Sequence, residues 1–172
     1  MNLHIPVNEG DQKQGSMDAS LVLVEYGDYE CPYCGAAYPV VKQLQSHFGR
    51  ELLFIFRNFP LSEIHPHALM AAYVAEAAGL QRKFWKLHDL IYENQASLSQ
   101  HQLLNLAESV NVDVDRLLKD MSSFPVIEKV ENDMEGGARS GVNGTPTFFI
   151  NGIRYNGNHD FENLKQALVP SK

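Results

Sequence analysis

Residues 21–34 read LVLVEYGDYECPYC and join an apolar run directly to a pair of cysteines. The first seven of these residues are mostly aliphatic and β-branched, which predicts a buried strand. After Cys34, apolar residues recur at helical spacing as far as Phe48, and Gly49 can end a helix in a left-handed conformation. The stretch therefore predicts a strand followed by a helix that begins at the cysteine pair.

The two cysteines are suited to disulfide exchange because of this position. Unpaired N–H groups at a helix start stabilise a thiolate, so Cys31 is predicted to be the nucleophile. Pro32 fits the first helical turn, where its missing N–H costs nothing. Cys34, one turn further along, is predicted to be the resolving thiol, which attacks a mixed disulfide at Cys31. A pair of buried apolar cysteines or half of a zinc site are the alternatives.

Zinc would need two further ligands beside the cysteines, and histidines are the candidates in this sequence. His65 and His67 are the best placed, but a histidine beside a proline at a helix start is more often a cap or a surface residue. The sequence predicts no metal site and no cofactor.

Glu25 interrupts the predicted strand with an acidic side chain. Burial of a charge is costly, so we expect a raised pKa at this carboxyl. Its place just before the cysteine pair suits it to exchange a proton with Cys34 through a water molecule. A solvated glutamate at a sheet edge is the alternative.

The rest of the chain alternates between strand and helix patterns. A second buried strand is predicted over Leu52–Phe59, followed by an almost wholly helical stretch, 62–140. Asn151-Gly152 between two β-rich runs predicts a hairpin, and Asp160 can cap a last helix. The start of the chain is polar and is expected to be loosely ordered. We predict an α/β domain formed by 1–61 and 141–172, with 62–140 as an inserted helical domain.

Composition excludes several classes of function. The chain has 172 residues and a net charge of −7, with no run of Lys or Arg, so nucleic acid is not an expected partner. No apolar run approaches the length of a membrane span. The first residues lack the features of a secretory signal, which predicts a cytoplasmic protein, or an exported one if the chain has been trimmed.

The motif VEYGDYECPYCG, the helical stretch and the later GVNGTPTFFING together resemble the DsbA-like branch of the thioredoxin superfamily. The resemblance runs from about Leu21 to Leu168. It implies a thioredoxin fold, with a central mixed sheet flanked by helices and a large helical insertion between the second predicted strand and the hairpin. The activity that it implies is that of a protein disulfide oxidoreductase.

The resemblance also implies roles for particular residues. Pro146 corresponds to the family's cis-proline beside the cysteine pair, and Thr145 offers backbone hydrogen bonds to an extended substrate. Pro32 and Tyr33 are expected to contact the same substrate. The implied partners are thiol- or disulfide-containing proteins and a redox partner, which could be thioredoxin-like, glutathione or a membrane oxidase.

Two departures from DsbA bear on the direction of electron flow. The dipeptide between the cysteines is Pro32-Tyr33, as in glutaredoxins, where DsbA has Pro-His. Asp28 and Glu30 add negative charge near Cys31 and oppose thiolate formation. Both predict a less oxidising pair than that of DsbA. A glutathione-dependent reductase and a peptide-binding or chaperone module of the same fold stay as alternatives.

Overall fold

The computed structural model describes residues 1–169 and contains a five-stranded sheet covered by helices. The strands are β1 (Gln12–Gly15), β2 (Leu21–Gly27), β3 (Leu52–Asn58), β4 (Thr147–Ile150) and β5 (Ile153–Arg154). The helices are α1 (Pro32–Phe48), α2 (Ala68–Gly79), α3 (Phe84–Glu93), α4 (Gln100–Ser109), α5 (Val114–Asp120), α6 (Phe124–Arg139) and α7 (Phe161–Leu168).

The strands lie in the order β1-β3-β2-β4-β5. Strands β2 and β3 are parallel, since the chain returns through α1 between them, whereas β1, β4 and β5 are each antiparallel to their neighbours. The central mixed sheet flanked by helices, predicted from the sequence, is therefore observed. Strand β2 has a partner on both sides, which explains its almost complete burial.

Alternation along β2 divides the core between the two faces of the sheet. Leu21 and Leu23 belong to the larger cluster, which includes Ala37 and Val41 of α1. Val24 belongs to the smaller cluster on the opposite face. Because Glu25 follows Leu23 by two positions, its side chain leaves the sheet on the face that α1 covers.

The start of the chain is ordered, contrary to the expectation from its polar sequence. Strand β1 pairs with the edge of β3, and the carboxylate of Asp11 forms a salt bridge with Arg57, with 2.8 Å between Asp11 Oδ1 and Arg57 Nε. Both side chains are 2% exposed. The segment is held by partners 38 to 46 residues away in sequence, which a local hydrophobic pattern does not reveal.

Predicted turns and caps agree with the structure. Asn151 and Gly152 both have positive φ and join β4 to β5, as the Asn-Gly dipeptide predicts. The Asp160 side chain caps α7, as predicted, and the side chains of Ser99 and Asp113 cap α4 and α5. Five helices, α2 to α6, lie within 62–140, and the division into two domains stays a prediction. The predicted bound at 172 includes 170–172, which are outside the described residues.

Across residues 1–169, none of the helices combines the length and the apolar character needed to cross a membrane.

Candidate active site

Helix α1 begins immediately after Cys31, which is extended and forms its N-cap, with Pro32 in the first helical position. Cys31 and Cys34 are free thiols. Their side chains are buried, with 3% of Cys31 and none of Cys34 exposed. The structure thus places the first cysteine at the helix start, as the sequence predicts, and the second inside the core one turn later.

The surroundings of Cys31 favour its thiolate. A hydrogen bond from the Cys34 thiol, together with donors from Thr145 and from the backbone N–H groups of Cys34 and Tyr33, lowers the pKa of Cys31 to about 5, although burial opposes this shift. At neutral pH the Cys31 sulfur is therefore a thiolate.

Cys34 has the opposite character. Burial raises the pKa of Cys34 well above its usual range, and the hydrogen bond to Cys31 and the charge of Glu25 raise it further. The backbone N–H of Asp28 donates to Cys34 Sγ at 3.5 Å, which only partly offsets these effects. The two thiols therefore differ in protonation at neutral pH, since Cys31 is a thiolate and Cys34 holds its proton.

Glu25 lies in the centre of the sheet, opposite Phe56 on β3 and Phe148 on β4. It is 3% exposed, and its Oε1 atom has no hydrogen-bond partner within residues 1–169. Burial, and then the negative charge of Cys31, raises the pKa of Glu25 to about 8. The alternative of a solvated edge glutamate is therefore wrong, because β2 is an inner strand.

The segment before β4 lies against the nucleophile. The peptide bond between Thr145 and Pro146 is cis, and Cys31 Sγ lies 3.4 Å from the Thr145 carbonyl oxygen, to which the sulfur donates when it is protonated. Thr145 Oγ1 is buried and has no hydrogen-bond partner within the described part of the chain, so its hydroxyl is available as a donor to the Cys31 thiolate. Two residues that are 114 positions apart in sequence thus meet at one sulfur.

The outer rim of this site is solvent-exposed and partly apolar. Pro32 is exposed, and Tyr33 is exposed to 74%. No backbone hydrogen bond within residues 1–169 pairs with Thr145, so the chain beside Cys31 has an open edge. An extended peptide could approach the sulfur along this edge.

The carboxylates before Cys31 are engaged by a segment that the sequence analysis did not connect with them. Asp28 accepts hydrogen bonds from His65 Nδ1 at 2.7 Å and from the backbone N–H of Leu61 at 2.9 Å. Glu30 accepts from His67 Nδ1 at 3.1 Å. The pKa of Cys31 is lowered by other groups despite these nearby carboxylates, and the opposing effect of Asp28 and Glu30 stays a prediction.

The same pairing accounts for the two histidines considered as zinc ligands. Their Nδ1 atoms bind carboxylates rather than turning toward the cysteines. In the described range 1–169, no three His, Cys, Asp or Glu side chains come together in a way that could hold a metal ion.

Gln95 is a further residue at this site that pattern analysis missed. It lies in the loop after α3, and its amide reaches the backbone on both sides of Glu30, at Tyr29 and Cys31. A single polar residue in a loop carries no periodic signal, so the sequence offered no indication of this contact.

Comparison with known proteins shows the family to which this chain belongs. A family model described as Thioredoxin matches residues 7–169. A thioredoxin-like oxidoreductase from Silicibacter pomeroyi has a similar structure, with a TM-score of 0.85 and 25% identity, covering 93% of this chain and 91% of that chain. BdbD from Bacillus subtilis has a TM-score of 0.83 and 23% identity, covering 95% of this chain and 93% of that chain.

The thiol-disulfide exchange protein alpha-DsbA2 from Wolbachia pipientis has a TM-score of 0.84 and 22% identity, covering 94% of this chain and 87% of that chain. Among curated proteins, a Na(+)/H(+) antiporter NhaA 1 from Salinispora arenicola is 40% identical over 170 residues. That match covers 98% of this chain and 26% of the antiporter. The chain therefore spans about a quarter of the length of the curated relatives it matches.

Proposed function

This chain belongs to the thioredoxin family and has the fold of its DsbA-like thiol-disulfide oxidoreductases, and from this premise we propose that it exchanges disulfides with protein substrates through Cys31 and Cys34. The observation that carries the proposal is the contrast between the two thiols. One sulfur has a pKa of about 5 at a helix start, and the other is buried and keeps its proton.

Reduction of a substrate disulfide follows from this contrast. The Cys31 thiolate attacks one substrate sulfur, the substrate S–S bond breaks, and the released substrate thiolate takes a proton from water. Cys34 then loses its proton and attacks Cys31 Sγ. The mixed disulfide breaks, the second substrate thiolate leaves, and the Cys31–Cys34 bond forms. Two electrons pass from the cysteine pair to the substrate, and the reverse sequence oxidises a substrate dithiol.

Glu25 supports the second step as a proton acceptor. Cys34 cannot attack until its proton has left, and the core around it contains few groups that could accept one. The Glu25 carboxylate, whose charge acts on Cys34 and whose Oε1 has no partner, is the acceptor in this proposal, with a bridging water completing the path. In the oxidising direction the same group returns the proton.

Substrate binding uses the open edge beside the nucleophile. Thr145 offers its backbone to an extended segment, Pro146 packs beside the pair, and the exposed ring of Tyr33 with Pro32 supplies apolar contact. A redox partner, whether thioredoxin-like, glutathione or a membrane oxidase, would reach Cys31 at the same place.

The curated relatives are named as Na(+)/H(+) antiporters and are about four times as long as the matched segment. The name of these relatives refers to ion transport by the longer proteins. The function proposed for this chain rests on its two thiols instead.

Trapping of the mixed disulfide tests the proposal. Cys34→Ser cannot resolve the intermediate, so it is expected to accumulate a covalent adduct with insulin or with another disulfide protein, seen by mass spectrometry. Cys31→Ser is the matched control, since it keeps one cysteine but lacks the nucleophile, and it should form none. An adduct at Cys34 in the control, or none in either variant, would overturn the assignment.

Activity assays separate the alternatives. Reduction of insulin in the presence of dithiothreitol is expected for the wild type and not for Cys31→Ser. Faster turnover of a glutathione mixed disulfide than of insulin would instead favour a glutathione-dependent reductase. Binding of unfolded peptides that persists in Cys31→Ser, with no exchange by the wild type, would favour a peptide-binding module.

A further inference from the structure

Gln95 makes two hydrogen bonds to the backbone of the cysteine motif although it lies more than 60 residues away in sequence. Its Nε2 donates to the Tyr29 carbonyl oxygen at 3.0 Å and to the Cys31 carbonyl oxygen at 2.6 Å. One side-chain amide thus bridges the chain that enters helix α1 and the first peptide group of that helix.

Gly35 provides the space for this contact. A Cβ atom at position 35 would lie 2.1 Å from Gln95 Oε1 and 2.9 Å from its Cδ, closer than real Cβ atoms approach. Gly35 also donates its backbone N–H to the Cys31 carbonyl oxygen at 3.0 Å, which closes the first turn of α1. The Cys31 carbonyl therefore has two donors, one from the helix and one from Gln95.

The orientation of this turn matters for the nucleophile. Cys31 is the N-cap of α1, and the backbone N–H groups of Tyr33 and Cys34 in the first turn both help to lower its pKa. Pro32 has no N–H to offer, so these two groups are the backbone donors of the first turn. The peptide group between Cys31 and Pro32 begins this turn, and Gln95 binds it at its carbonyl oxygen.

We propose that Gln95 is a positioning residue for the disulfide exchange, and that it acts by holding the first turn of α1 so that backbone N–H groups face the Cys31 sulfur. The proposal rests on the proposed function. It makes the loop after α3, within the inserted helical stretch, a part of the catalytic machinery. Gly35 is its counterpart, since a side chain there displaces the Gln95 amide.

The test compares Gln95→Ala, Gly35→Ala and the double variant. Each is titrated by the ultraviolet absorbance of the thiolate and by the rate of Cys31 alkylation with iodoacetamide near pH 5. Gln95→Ala is expected to raise the titration midpoint by up to about one pKa unit and to slow alkylation about fivefold at that pH. The equilibrium potential against glutathione should become more reducing.

Gly35→Ala separates positioning from general stability. Alanine improves helix propensity by about 1 kcal/mol, yet the clash with Gln95 should shift the Cys31 titration in the same direction as Gln95→Ala. In the double variant the clash partner is absent, so the added alanine should cause no further shift.

Gln81→Ala is the matched control. Gln81 also donates its side-chain amide to a backbone carbonyl, that of Asp113, but away from the cysteines. Its loss should leave the thiolate titration unchanged. A folded Gln95→Ala protein with the wild-type titration and potential, or shifts that simply add in the double variant, would overturn the positioning role. Failure of the wild type to exchange disulfides would instead overturn the proposed function, since the titration does not depend on turnover.

Discussion

His65 Nδ1 lies 2.7 Å from the carboxylate of Asp28, three residues before the candidate nucleophile. The Asp28 side chain is completely buried, and that of His65 is 16% exposed. A buried carboxylate needs donors, and here the imidazole and two backbone N–H groups supply them. The pair joins the approach to helix α1 to the segment that precedes α2.

Removal of this imidazole should make Cys31 less acidic. In His65→Ala the Asp28 charge loses one donor and acts more strongly on the nearby sulfur, so we expect a higher Cys31 pKa and a more reducing potential. Alkylation rates against pH measure the first, and a glutathione redox titration the second. His67→Ala is the control, because the His67 side chain is 42% exposed and its partner Glu30 is 20% exposed, and it should have the smaller effect. Equal effects of the two variants would contradict the prediction.

The reduction potential is expected to be intermediate. Thioredoxin has a nucleophile pKa near 7 and a potential of about −270 mV, whereas DsbA has about 3.5 and about −120 mV. The Cys31 pKa of about 5 lies between them. Interpolation predicts about −185 mV, which a glutathione titration followed by quantification of the Cys31–Cys34 disulfide would measure. A value close to that of DsbA would contradict both this argument and the interpretation of Tyr33 as a less oxidising residue.

Glu25 should make the reduced protein less stable as the pH rises. Its pKa is about 8 in the folded state and near 4.5 when unfolded, so the folded state favours the protonated form. The stability that this provides is complete below pH 4.5 and is lost as the pH rises through 8. At about 1.4 kcal/mol per pKa unit, the loss is about 3 kcal/mol by pH 7.

Denaturant unfolding of reduced wild type and Glu25→Gln at several pH values measures this difference. The difference between the unfolding free energies of wild type and Glu25→Gln removes the contribution of the ionisable groups that both proteins share. A difference in free energy of unfolding that stays constant between pH 5 and 8 would contradict the raised pKa.

The same variant should slow resolution of the mixed disulfide. Glutamine cannot accept the Cys34 proton, so the release of substrate from a preformed Cys31 adduct is expected to slow on the order of 10²-fold. For wild type this rate should rise with pH as the Glu25 carboxylate forms, and Glu25→Gln should lack that rise. The rise is expected below about pH 8, because the charge of Cys31 that raises the Glu25 pKa in the reduced protein is absent from the mixed disulfide. Rapid-quench measurement of substrate release reports the step directly. An unchanged pH profile in the variant would exclude Glu25 as the proton acceptor.

Loss of the Asp11 carboxylate should destabilise the fold. Arg57 donates to both Asp11 oxygens, and without them a buried guanidinium has lost its counter-charge. Asp11→Ala is therefore expected to cost about 3–5 kcal/mol of unfolding free energy, whereas exposed Asp18→Ala should have little effect. Denaturant midpoints compare the two variants. A small loss in Asp11→Ala would show that the start of the chain is not held by this pair.

Local sequence was sufficient to predict the strand and the helix that position the cysteines, and the hairpin that follows later in the chain. The apolar run before Tyr29, the helical spacing after Cys34 and the Asn151-Gly152 turn each depend on neighbouring residues, and the structure has a strand, a helix and a hairpin at these places. Glu25 was recognised for the same reason, since an acid inside an apolar run is a local anomaly.

The sequence alone determined that two thiols stand at a helix start behind a buried strand. Only the tertiary structure decided which groups surround them. Gln95 and His65 reach the motif from loops that are distant in sequence, and a polar loop residue has no periodicity that reveals its partner. Thr145 was expected beside the cysteines only from the family resemblance, and its contact with Cys31 also comes from the tertiary structure. Strand β1 was missed because its stability comes from the edge of β3 and from a salt bridge across the fold. Local sequence thus places the two thiols at a helix start, whereas residues brought close by tertiary packing determine their electrostatic environment.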